Sequence, residues 1–134
     1  MAMQEDDRPG PDHIRGVFER YAALLTAGDT EGIVALFAPD AVVRDPVNGP
    51  AHRGHAAIRA FYQGGFDAMG GGIEMTLDGA VRIAGRYGAA PFVARTVHHS
   101  ELLCTDTLDV MLFDTDGRIV SMDAYWGPTN FRTG

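Results

Sequence analysis

Apart from one short strand at residues 41–44, the hydrophobic period of the chain changes once, near Ile73, and that change limits the fold more than any other feature. Before it, apolar residues recur at helical spacing; after it, short runs alternate with a period of two. Asp12 is placed to cap a helix whose residues Ile14, Val17, Phe18, Tyr21 and Leu25 share one face, and Gly28 stops it. Asp29 can cap a second, shorter helix carrying Ile33, Val34, Leu36 and Phe37. A third is predicted from about residue 55 to 63, with Ile58, Phe61 and Tyr62 inward. Residues 64–72 hold five glycines and read as irregular. Strands are predicted over residues 74–77, 80–83, 91–97, 102–113 and 118–126. His98-His99-Ser100 forms a tight connection and Asp114-Thr115-Asp116-Gly117 a hairpin turn. Helices first and strands afterwards indicate an α+β domain, a curved antiparallel sheet with three N-terminal helices packed on one side and a cavity between them.

The 134 residues, 46% hydrophobic, suffice for one domain with a real core over residues 12–134, after an acidic, Pro-rich tail at 1–11. The net charge is -7, every basic side chain is arginine, and no basic patch is interleaved with aromatics, so nucleic acid is not an expected partner. The lone Cys104 rules out an internal disulfide and fits a reducing compartment. No apolar run is long enough to span a membrane and the tail carries no signal region, so a cytoplasmic, bacterial-type protein is expected.

Asp45 ends the short apolar strand Ala41-Val42-Val43-Arg44 and precedes Pro46, which biases it toward an extended backbone. Alternation puts Asp45 on the face of Val43 and turns Arg44 the other way. Such a carboxylate is either a turn residue opening a loop or a base on an apolar face. Asp109 shares a face with Thr105, Thr107, Met111 and Phe113, in a strand apolar on both sides toward its end. It is either a charge reaching solvent or an inward carboxyl that must be paired or protonated. Tyr21 is either a core residue or a hydroxyl aimed into the cavity. On the strand after the hairpin, Val120, Met122, Ala124 and Trp126 share one face. The five histidines lack metal-ligand spacing, and no nucleophile motif or phosphate loop occurs. No metal site is expected.

With these residues in order, the chain resembles the bacterial ketosteroid isomerases of the nuclear-transport-factor-like superfamily. The likeness runs from about His13 to Asn130 through Glu19-Arg20-Tyr21, Gly28-Asp29, Ile33-Val34-Ala35-Leu36-Phe37-Ala38, Asp45-Pro46, Ile58-Arg59-Ala60-Phe61-Tyr62, Asp109-Val110-Met111 and Ala124-Tyr125-Trp126. It implies a cone-like fold and isomerisation of 3-oxo-Δ5-steroids to conjugated Δ4 products without a cofactor. Asp45 would be the general base, and Tyr21 and a protonated Asp109 the donors to the dienolate oxygen. Tyr62 would support Tyr21, with Phe37 standing where some members add a third tyrosine. Phe92, Met122 and Trp126 would line the steroid pocket, and the chain would form a homodimer through the outer sheet surface. Thr105 and Thr107 replace aliphatic residues of some members. The alternatives within the superfamily are a limonene-type epoxide hydrolase, which needs an arginine among its carboxylates, and a polyketide cyclase. Outside catalysis, the alternative is a steroid- or lipid-binding protein.

Overall fold

A computed structural model describes residues 8–133. Residues 1–7 of the expected tail lie outside the described residues; Pro9 is already buried and Pro11 opens the first helix. That helix, α1 (Pro11–Ala27), follows Gly10 rather than an Asp12 cap; Asp12 instead sits in its first turn and pairs with Arg15. The apolar stripe is inward as expected, with Ile14, Phe18 and Tyr21 fully buried. Gly28 ends the helix with φ 69°, a left-handed conformation that other residues adopt at a cost.

Asp29 caps α2 (Thr30–Val34) by accepting a hydrogen bond from the Gly32 N–H at 2.9 Å. The helix does not extend to Leu36 and Phe37. Pro39 disfavours helix just ahead of it, and Phe37 instead opens β1 (Phe37–Arg44) opposite Ile119. The short β2 (Ala51–Arg53) folds back on β1 and leads into α3 (Gly54–Met69). This helix runs through Gly64 and Gly65 into the stretch expected to be irregular. Phe66 is the reason: it is buried one turn beyond Ile58 and Tyr62 and extends their stripe, which outweighs the weak helix propensity of two glycines.

The strands follow as β3 (Glu74–Leu77), β4 (Arg82–Ala84), β5 (Tyr87–His98), β6 (Glu101–Phe113), β7 (Ile119–Tyr125) and β8 (Phe131–Thr133). The sheet runs β2-β1-β7-β6-β5-β3, with β4 also on β5 and β8 also on β6. It is curved and antiparallel except between β1 and β7, which run parallel with Val43 opposite Met122 and Arg44 opposite Asp123. β5 begins earlier than expected, at Tyr87; Pro91 falls between the residues that pair with β4 and those that pair with β3. The hairpin at residues 114–117 forms as expected, with the Asp114 carboxylate accepting from the N–H groups of Asp116 and Arg118. A register shift between Leu112 and Phe113 puts Ile119 in the core and leaves Val120 only partly buried, where alternation alone had grouped Val120 with Met122.

Helix α1 crosses the concave face of the sheet where Gly88 lets it come close: a Cβ there would stand 2.6 Å from Phe18 Cε2 and 2.9 Å from Ile14 Cγ2. No helix among the described residues is long and apolar enough to cross a membrane. Because the Phe18 ring is wedged in the core, Gly88→Val is expected to lower unfolding free energy by about 1–3 kcal/mol in urea denaturation; an unchanged midpoint would contradict this account of the helix-sheet contact.

Candidate active site

Tyr21, Asp45 and Asp109 come from a helix, a strand end and a mid-strand, and all three line one cavity of about 560 Å³. The rest of its wall is mostly apolar, including Leu25, Phe61, Met75 and Leu103. That volume is in the range of pockets that enclose small molecules.

Asp45 stands one residue beyond β1, on the cavity side, as alternation requires. Arg44 turns outward and holds Asp123 of β7 through two hydrogen bonds, at 2.8 and 3.0 Å. Beyond Asp45, the Val47 N–H donates to the Ala124 carbonyl at 2.8 Å, tying this loop to β7 beside Trp126. The Trp126 indole N–H donates to Asp45 Oδ1 at 2.6 Å. Burial raises the Asp45 pKa, while the Trp126 hydrogen bond and the nearby His52 pull it back. His52, opposite Val43 in register, stacks on Phe61 with ring centroids 4.4 Å apart. One carboxylate oxygen is thus held by Trp126, and the other is left for a proton.

Tyr21 and Tyr62 meet across α1 and α3, their hydroxyls 2.8 Å apart. Burial is the main reason both phenols are pushed well above their ordinary pKa, so both stay protonated. Tyr62 lies behind Tyr21 rather than on the cavity wall, its ring edge-on to that of Tyr21. Phe37 packs against Tyr62 without adding a hydroxyl.

Asp109 is 1% exposed, which removes the solvent-facing reading. Its Oδ1 accepts from the Thr107 hydroxyl at 2.5 Å. Burial pushes its pKa up to about 7, the Asp45 charge adds to the rise, and the Thr107 hydrogen bond opposes it. With Oδ1 already accepting, the proton of the neutral acid belongs on the other oxygen, where it can be donated.

Two expected wall residues lie elsewhere. Phe92 and Met122 are fully buried and do not line the cavity. Phe92 packs beneath, stacked on Phe18 and edge-on to Tyr21. Trp126 does line the cavity, and Phe131, on the unforeseen β8, joins it there edge-on at 5.9 Å. Residues 131–133 are all exposed and show no alternation of burial, so the sequence carried no signal for that strand. Among the described residues, no group of three or more His, Cys, Asp or Glu is placed to hold a metal ion.

Comparison with known proteins agrees with this architecture. The model of the SnoaL-like domain family matches residues 18–122. The chain is 36% identical over 115 residues to a steroid Delta-isomerase of Nocardioides simplex, covering 86% of this chain and 90% of that protein. A solved structure of an epoxide hydrolase/cyclase-like enzyme with a role in pyran ring formation in the polyether salinomycin has a similar fold. Its TM-score is 0.79, over 98% of this chain and all of that one, at 24% identity.

The Asp109 environment sets a pH dependence of stability. From about pH 4, where an unfolded aspartate ionises, to about pH 7, the folded protein keeps a proton that the unfolded chain has released. Stability therefore falls as pH rises through that window, by up to about 1.4 kcal/mol per pH unit from this group. Urea titrations across the window are expected to show a flatter profile for Asp109→Asn. Thr107→Val, which removes the hydrogen bond favouring the charged form, extends the decline to higher pH. Profiles parallel to wild type for both variants would contradict the assignment.

Proposed function

The chain belongs to the SnoaL-like domain family, as a ketosteroid isomerase-like protein of the nuclear-transport-factor-like superfamily, and we propose that it is a steroid Δ5-isomerase. The observation that carries this reading is the meeting, in a single apolar cavity, of one hydrogen-bonded carboxylate with a phenol and a second carboxyl that burial favours in their protonated forms. Asp45 takes a proton from carbon 4 of a 3-oxo-Δ5-steroid, and the electron pair of that C–H bond passes through the ring to the carbonyl oxygen. The resulting dienolate is reprotonated by Asp45 at carbon 6, which leaves the double bond in conjugation. Tyr21 and protonated Asp109 donate to the oxygen where negative charge develops, each contributing roughly 3 kcal/mol by comparison with other oxyanion sites. The Asp109 hydrogen bond is present below about pH 7 and lost above it. Trp126 fixes which oxygen of Asp45 receives the proton. The reaction draws on no cofactor.

An epoxide hydrolase fits this cavity less well. An epoxide hydrolase reading requires an arginine between the carboxylates. Arg44 is turned away onto Asp123, and none of the described cavity-lining residues is an arginine. A binding protein has no need of a hydrogen-bonded carboxylate opposite two donors.

Ultraviolet absorbance of a 3-oxo-Δ5-androstene mixed with the protein is expected to show growth of the conjugated enone. Asp45→Asn is expected to slow that growth roughly 100- to 10,000-fold while a phenolic steroid still binds. Equal loss of turnover and binding would overturn the base assignment, and binding without turnover in wild type would make the protein a carrier.

The same reading makes the protein a homodimer through the convex face of the sheet. There Leu108 lies opposite Tyr125 in register, and Tyr87 of β5, opposite Leu112, is on the same face four residues further along; these side chains are 43, 50 and 55% exposed. Light scattering is expected to give twice the chain mass for wild type and the single-chain mass for Leu108→Glu combined with Tyr125→Glu. A monomeric wild type would remove this interface.

A further inference from the structure

The apolar cavity is polar at its Tyr21–Asp45–Asp109 end and again along a strip of hydroxyls on β5 and β6. Thr105 shares a face of β6 with Asp109, four residues earlier, and so lies roughly 13 Å along the strand from it. On β5, Ala94 is opposite Thr105, and Thr96 stands two residues further on the same face. Thr96 and Thr105 both line the cavity. Between them and Asp109, the Thr107 hydroxyl is already committed to the Asp109 carboxyl.

The hydroxyls of Thr96 and Thr105 have no such commitment. Among the described residues neither has a hydrogen-bond partner, and no fully enclosed side-chain polar atom is unpaired. Both hydroxyls therefore keep some exposure, on residues that line the cavity. An apolar ligand lying against them would strip their hydration and return nothing, whereas one carrying an oxygen there would restore a hydrogen bond. A site with polar groups of this kind discriminates against the analogue that lacks the matching atom.

We propose that Thr96 and Thr105 form a polar subsite that selects ligands bearing a hydroxyl or ketone at the end remote from Asp109. The inference rests on the steroid reading, and it narrows the substrate class to rigid fused-ring skeletons with an oxygen function at each end. A four-ring skeleton oxygenated on its first and last rings spans a distance comparable to that between Asp109 and Thr105.

The test is equilibrium binding, by calorimetry, of two phenolic steroids that share their first ring and differ only in the 17-hydroxyl of the last. In wild type the hydroxylated phenol is expected to bind more tightly than the 17-deoxy compound. Thr96→Val combined with Thr105→Val is expected to lower that preference roughly five- to tenfold, and Thr105→Ser to retain it. A wild type that favours the deoxy phenol overturns the subsite and leaves the steroid reading standing. So does a preference that persists within about twofold in the valine variant. Failure of wild type to bind either phenol overturns the steroid reading itself, and the subsite with it.

Discussion

A carboxyl group removed from water with no cation beside it controls the chemistry of this cavity. Asp109 sits buried on the inner face of β6, at the wall of the cavity, and its one hydrogen bond comes from a neutral hydroxyl. Desolvation disfavours the charged form, and the second carboxylate in the same cavity disfavours it further. Asp45, nearer the surface and held by an indole N–H, feels the same desolvation with two influences opposing it. Two aspartates in one cavity are thereby driven toward different protonation states, one able to donate a proton and one able to accept it. An arginine facing Asp109 would collapse that difference, and the nearest candidate in sequence to either carboxyl, Arg44, is occupied on the outside by Asp123.

The aromatic layer beneath the cavity serves the same division. Phe92 and Phe18 pack under Tyr21, and Tyr62 meets its hydroxyl from the neighbouring helix. Burial keeps both phenols protonated. Helix α1 therefore contributes more than a lid, because its apolar stripe fixes the depth at which the Tyr21 hydroxyl faces the cavity.

Local pattern made some of this legible and left the rest hidden. The orientation of Asp45 and of Arg44 followed from strand alternation, because β1, irregular before Val42, pairs in unbroken register from Val42 to Arg44. The stripe of α1 followed from spacing. Asp109 stayed ambiguous, since alternation fixes a shared face but not whether that face meets a helix layer or water. Phe92 and Met122 were assigned to the pocket by family likeness. They share the concave face with true wall residues but lie at a level already filled by core side chains, a depth that one-dimensional position does not encode. Gly64 and Gly65 hid the last turns of α3, whose anchor, Phe66, acts through tertiary burial. The indole of Trp126 reaches Asp45 across 81 residues of chain, and only the parallel pairing of β1 with β7 brings them together.

Strand β6 has a different task on each face. Thr105, Thr107 and Asp109 look into the cavity, while Asp106, Leu108 and Val110 look outward. The two sets point to opposite faces of the sheet, so a substitution in one set changes a different surface from a substitution in the other. Insertion or deletion of one residue within the strand has the opposite consequence, because the side-chain period is two and every position beyond the change exchanges faces. Such a frameshift in pairing would put the acid in solvent and a leucine in its place at a single step. Length between the two hairpins therefore governs the placement of the acid as strictly as the identity of residue 109 does.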